Sequence, residues 1–123
     1  MPTVRDQLVH LLALPGVRAV VLAGREGLTI DAMGQGEARL FEALGALGAS
    51  ALGTSESLGQ ELGAGAGAAV GVILEYEGGL VSVDPVGPYA ALVTLAESAA
   101  SLGRLRHALA TARGDLLRAL DTQ

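Results

Sequence analysis

Cysteine is absent from this 123-residue chain. That removes disulfides, thiolate nucleophiles and cysteine-based zinc sites together, and it fits a cytoplasmic protein. Tryptophan, lysine and asparagine are missing as well, and the aromatic set is Phe41, Tyr76 and Tyr89. A nucleic-acid reader calls for basic patches and stacking rings. The net charge of -5 and the scarcity of rings exclude nucleic acid as a first reading. The same charge disfavours an anionic membrane surface. All eight basic residues are arginine, a bias that a GC-rich genome explains. Met1-Pro2-Thr3-Val4-Arg5-Asp6 has no basic region leading into an apolar run, so no signal peptide is expected. Residues 63–74 carry no polar side chain, but the stretch is well short of the ~20 residues a membrane span needs. A cytoplasmic protein without membrane insertion is therefore expected.

What the chain does have is aliphatic mass. Half of it is apolar, mostly Ala, Leu and Val. That composition argues against disorder, and the length fits one domain over residues 1–123 with a single core. Thr3 followed by Asp6 resembles a capping box. Val4, Leu8, Leu11 and Leu12 then share a helical face until Pro15-Gly16 stops the helix. Residues 17–23 and 28–32 read as two strands around Gly24-Arg25-Glu26-Gly27, which predicts a hairpin.

Residues 37–62 follow the 3.6 period of a long helix and lay out three rows. One is leucine-rich: Leu40, Leu44, Leu47, Ala51, Leu58 and Leu62. A second is nearly bare backbone: Phe41, Gly45, Gly48, Leu52 and Gly59. A third is small with polar ends: Arg39, Glu42, Ala46, Ala49, Gly53 and Gln60. Each interior glycine costs a helix about 1 kcal/mol relative to alanine, so Gly45, Gly48, Gly53 and Gly59 together cost about 4 kcal/mol. Close approach of another helix or of a sheet can offset that cost.

A Gly/Ala connector at 63–67 leads into a predicted strand at 68–76, with Val70, Val72, Leu74 and Tyr76 on one face. Glu77-Gly78-Gly79 turns into a strand at 80–84, residues 85–88 make a second turn, and 89–95 form the fifth strand. Leu102, Leu105, Leu109, Ala112, Leu116 and Leu120 mark a terminal helix, with Ser98 or Ser101 as its cap. The order α-β-β-α-β-β-β-α predicts an α+β fold, a five-stranded antiparallel sheet with helices on both faces.

Chemistry is hard to find. His10 and His107 sit just off the apolar stripes of their helices, with no relay partner at a useful spacing, and read as solvated surface. Asp31 and Asp84 end strands. Strand-end carboxylates can be catalytic, but Asp84 before Pro85 reads as a turn residue. Residues 63–67 resemble a phosphate loop superficially. No Lys-Ser or Lys-Thr follows, and the loop runs from helix to strand, the reverse of what phosphate binding needs. No metal-ligand cluster and no cofactor site is expected.

The stretch Leu11-Leu12-Ala13-Leu14-Pro15-Gly16-Val17-Arg18-Ala19-Val20-Val21-Leu22, followed by Gly27-Leu28, resembles the opening of Roadblock/LC7 domains. Ser101-Leu102-Gly103-Arg104-Leu105-Arg106 is similar to the turn into their last helix. The element order matches over essentially the whole chain, and the likeness is to bacterial members of the MglB kind. That resemblance implies a profilin-like fold and a dimer, in which the long middle helices pair and the following strands join into one continuous sheet. It also implies a platform or regulator of small Ras-like GTPases, or a light-chain-like module, and no enzyme. Such regulators supply no catalytic residue and reposition the groups of the GTPase.

The residues themselves give a separate reason to expect a dimer. The predicted strand at 68–76 has neither Pro nor Lys and only Glu75 as a charge, so a bare edge there would invite aggregation unless it is paired. The expected dimer contact is therefore Phe41, Gly45, Gly48, Leu52, Gly59, Val70, Val72 and Leu74, burying roughly 2,000 Å² or more. The expected partner surface is Arg39, Glu42, Ala46, Ala49 and Gly53. The leading reading is a homodimeric regulator or scaffold for a small Ras-like GTPase, and the alternative is an adaptor docking a non-GTPase partner. A small-molecule sensor stands lower, because such pockets usually show aromatic and convergent polar groups.

Overall fold

The computed structural model describes residues 3–63, 68–97 and 102–121. Helix α1 (Val4–Leu12) starts on a true capping box. The Asp6 amide donates to the Thr3 hydroxyl at 3.1 Å, and the Thr3 amide donates to the Asp6 carboxylate at 2.9 Å. The Thr3 amide, seconded by the Thr3 hydroxyl, holds the Asp6 carboxyl below its usual range. The helix ends three residues before Pro15, and Gly16 takes a left-handed φ of 84° to swing the chain into the sheet.

Strands β1 (Val17–Gly24) and β2 (Thr29–Gly34) form the expected hairpin. Helix α2 (Ala38–Glu61) follows, then β3 (Val72–Tyr76), β4 (Gly79–Val86), β5 (Ala90–Ala96) and helix α3 (Leu102–Asp121). All four pairings are antiparallel and the sheet order is β2-β1-β5-β4-β3. The expected order and layering are present, with α1 and α3 on one face and α2 on the other. Both candidate caps of α3, Ser98 and Ser101, lie outside the described residues.

Several strand limits differ from expectation, and two of them shape the sites. Residues 68–71 precede β3 rather than belong to it, and Gly71 passes through a φ of 154° just before the strand. At the other boundary, β4 runs through Pro85 instead of turning there. β3 ends its pairing at Val72 opposite Val83, so at Pro85 β4 has a free edge on that side. A missing N–H is tolerated at such a place. Asp84 is consequently a sheet residue, paired across from Leu92, and not a turn residue.

The core is split by the sheet. Leu8, Leu11, Val20, Leu22, Leu92, Leu109 and Leu116 fill the side under α1 and α3. Val21, Leu52, Val83, Ala91 and Val93 fill the thinner side under α2. Arg25, in the first hairpin turn, fastens α2 to both hairpin ends. Its guanidinium donates to Glu56 at 2.6 Å and to the Gly87 carbonyl at 2.8 Å, and its amide donates to the Tyr89 carbonyl at 3.1 Å. No described helix is long and apolar enough to cross a membrane.

Candidate functional site

The glycine row of α2 points at the sheet. A Cβ on Gly48 would stand 2.5 Å from a Val93 methyl, and one on Gly45 would stand 3.3 Å from the Ala23 methyl. Leu52 is fully buried between helix and sheet, and Phe41 packs on the same cluster. Gly59 is half-buried farther along. The assignment of Gly45, Gly48 and Leu52 to contact between two copies is therefore corrected. Their own sheet occupies the space in front of them, because the missing side chains are what lets a helix sit this low on Val21 and Val93. Ala49 is corrected in the same way: it is buried, so it leaves the expected partner surface. Arg39, Glu42, Ala46 and Gly53 of that row are exposed.

Seating the glycine side inward turns much of the leucine row outward. Leu40 is 38% exposed, Leu47 71%, Leu58 61% and Leu62 69%. A folded chain loses about 25 cal/mol for each Å² of apolar surface left in water, so leucines at this density on one helix mark a contact surface. β3 continues it. In the register of the sheet, Val72, Leu74 and Tyr76 alternate toward the α2 side, opposite Val83, Val81 and Gly79. Leu74 and Tyr76 remain exposed, and Val70, expected on the same strand, lies just before it and is 71% exposed. Between helix and strand runs a groove of about 210 Å³ lined by Leu40, Leu44, Leu47, Leu74, Tyr76 and Val81.

The two edges of the sheet contrast. β2 carries a bulge at Ile30, opposite Leu22 and Ala23 of β1, and it carries Asp31, which pairs with Arg5 at 2.6 Å. Bulges and charges of this kind blunt an edge. β3 pairs with β4 alone, and its one acidic residue is Glu75. The edge therefore offers an open ladder of amide and carbonyl groups beside an apolar groove. That combination is one to which another protein backbone can add.

Among the described residues, no chemically reactive groups converge on this surface. His10 and His107 are exposed on α1 and α3, as expected. Among the described residues, no three His, Asp or Glu side chains stand where they could hold a metal ion.

Comparison with known proteins agrees with this architecture. The chain is similar to the Roadblock/LC7 domain from Streptomyces avermitilis, with 20% identity, a TM-score of 0.87, and coverage of 98% of this chain and 99% of that one. It is also similar to an MglB solved in a tetrameric arrangement, at 22% identity and a TM-score of 0.84 over 96% of this chain and 88% of that one. The gliding protein MglB from Thermus thermophilus gives 21% identity and a TM-score of 0.84, covering 97% and 89%. At such identities the likeness is one of fold. Among curated proteins nothing matches. The family model for the Roadblock/LC7 domain matches residues 3–96, from the capped first helix to the end of the last strand, and the chain belongs to that family.

Proposed function

We propose that this chain is a homodimeric, non-enzymatic regulator or scaffold for a small Ras-like GTPase. The observation that carries the reading is the apolar groove between α2 and β3 beside an unblunted strand edge. Two copies related by a two-fold axis would each present the same strand and the same leucines, which is the self-complementary arrangement a symmetric dimer needs. Such a dimer would cover Leu47, Leu74 and Tyr76 and lengthen the sheet across the seam. Family membership supports the GTPase as partner, and the tetrameric arrangement of one similar MglB supports self-association. A regulator of this kind acts by holding and repositioning the groups of its partner, so it needs no reactive cluster of its own.

The adaptor reading is favoured by one feature. The exposed row Arg39, Glu42, Ala46 and Gly53 offers few of the aromatic and arginine anchors that dominate tight interfaces. The test has two stages. Light scattering behind a sizing column should give a mass near twice 12.3 kDa that survives dilution. The Ras-like GTPases of the same organism are then tested for binding and for a changed hydrolysis rate. A monomeric mass removes the dimer. A dimer that neither binds nor alters any of those GTPases leaves the adaptor reading in its place.

A further inference from the structure

The opposite face of the sheet holds a second feature, unrelated to the groove. β4 sends Leu80 and Val86 into the apolar core under α1 and α3. Between them, on the same face, come Ser82 and Asp84. Ser82 is 3% exposed, and it stands opposite Thr94 of β5, whose fully buried hydroxyl has no hydrogen-bond partner. Burying hydroxyls and a carboxyl where aliphatic side chains would pack costs stability. The cost has no structural return, because Thr94 stays unbonded and Ser82 donates only a long 3.4 Å bond to the Asp84 carboxylate.

Ser82 and Asp84 open on a cavity of about 280 Å³ between β3, β4 and α3. Its far wall is α3, which brings Arg106 and Arg113 to the same side, two turns apart, with Leu109 between them. Arg113 is committed, donating to the Val70 carbonyl at 3.2 Å and so bracing the chain that enters β3. Arg106 is exposed and makes no ion pair among the described residues. Asp84 likewise has no ion pair among them, although both arginines are near enough to act on its charge. Burial raises its carboxyl above the ordinary value, against the pull of Arg113, the Ser82 hydroxyl and Arg106. Ile73 and Leu109 complete the walls.

The cavity thus offers an exposed guanidinium without an ion pair among the described residues, a partly desolvated carboxylate, a buried hydroxyl and two aliphatic side chains. A guanidinium fork holds a carboxylate with two parallel bonds. A carboxylate beside a hydroxyl holds an ammonium. The volume lies just under the range of about 300–1,000 Å³ typical of pockets for drug-sized ligands, which suits a molecule of amino-acid size. We propose that this cavity binds a small zwitterion of amino-acid size, its carboxylate on Arg106, its ammonium on Asp84 and Ser82, and its aliphatic part against Ile73 and Leu109. The site is independent of the GTPase reading, since it uses the other face of the sheet and no residue of the groove.

The full chain would be heated in the presence of each proteinogenic amino acid at millimolar concentration, with acetate and methylamine as single-charge controls. At least one amino acid should raise the melting temperature, as a ligand of the native state must, and neither control should. Titration calorimetry with that amino acid should show a loss of at least about tenfold in affinity in both Arg106→Gln and Asp84→Asn. Circular dichroism checks that each variant is folded. Three results would overturn the proposal: no amino acid exceeding the controls, acetate acting as well as the amino acid, or a shift that survives in both variants.

Discussion

Gly48 and Gly53 lie five positions apart on one helix and answer to opposite constraints. At Gly48 a methyl would reach to 2.5 Å of a Val93 methyl. Val93 is fully buried and β-branched, so it has no rotamer in which to retreat. Gly48→Ala should therefore lower stability, overpacking at about 1–3 kcal/mol outweighing a helix-propensity gain of about 1 kcal/mol. At Gly53 nothing lies within 4 Å of the added carbon, so Gly53→Ala should raise stability by about 1 kcal/mol. Urea titrations of the two variants decide both signs. Asp84 gives a pH signature. Its carboxyl is raised above 3.8 in the folded chain, chiefly by burial. Between the unfolded value and the raised folded one, the native state holds the extra proton. Stability contributed at this site thus falls as pH climbs through that window, and the penalty is complete above the folded pKa. Asn carries no charge, so Asp84→Asn should be the more stable chain at pH 7, with the difference closing as pH falls below 3.8. Unfolding curves at neutral and acid pH measure it. The role of Asp84 was hidden in the sequence by Pro85, which reads as a turn. The free edge of β4 past Val72 is what lets the strand continue through it, and no local pattern announces where a neighbouring strand stops.

Among the elements, α2 was the most legible and the most misleading. The 3.6 period placed it at 37–62 against an observed Ala38–Glu61, and its glycines called for a close neighbour. Which neighbour depended on what faces the helix, and that is set by Val21 and Val93 in distant strands. The usual expectation that leucine goes in and small residues go out fails here because the small row is what allows the approach. β1, β2 and β5 were legible because glycine-bounded turns and β-branched runs coincide. The start of β3 was not, since an apolar Gly/Ala run ahead of a strand looks like more strand. Leu47 provides the test of the outward side of α2. It is 71% exposed and borders the groove, so Leu47→Glu should leave far-ultraviolet circular dichroism unchanged. In the proposed dimer it would bury a carboxylate against its twin, and light scattering should then report a monomer. A variant that stays dimeric would place the seam elsewhere.

Across the whole molecule, the sheet divides labour by face. The side under α1 and α3 holds most of the core and, at its β3–β4 corner, the polar cavity. The side under α2 holds a thin core and the exposed groove. The order of elements and the family likeness were open to reading because turn chemistry and hydrophobic period are local. Both surfaces of interest were not, since each joins residues from a strand and a helix far apart along the chain.

The two-sidedness of α2 also bears on how such chains diversify. The fold depends on the inward positions of the helix, Gly45, Gly48, Ala49 and Leu52, while Leu40, Leu47 and Leu58 contribute little to the core. After a gene duplication, the outward set can drift without endangering the inward one. A few exchanges there would give sister copies private pairing rules, so that several domains of one architecture could share a cell without mixing.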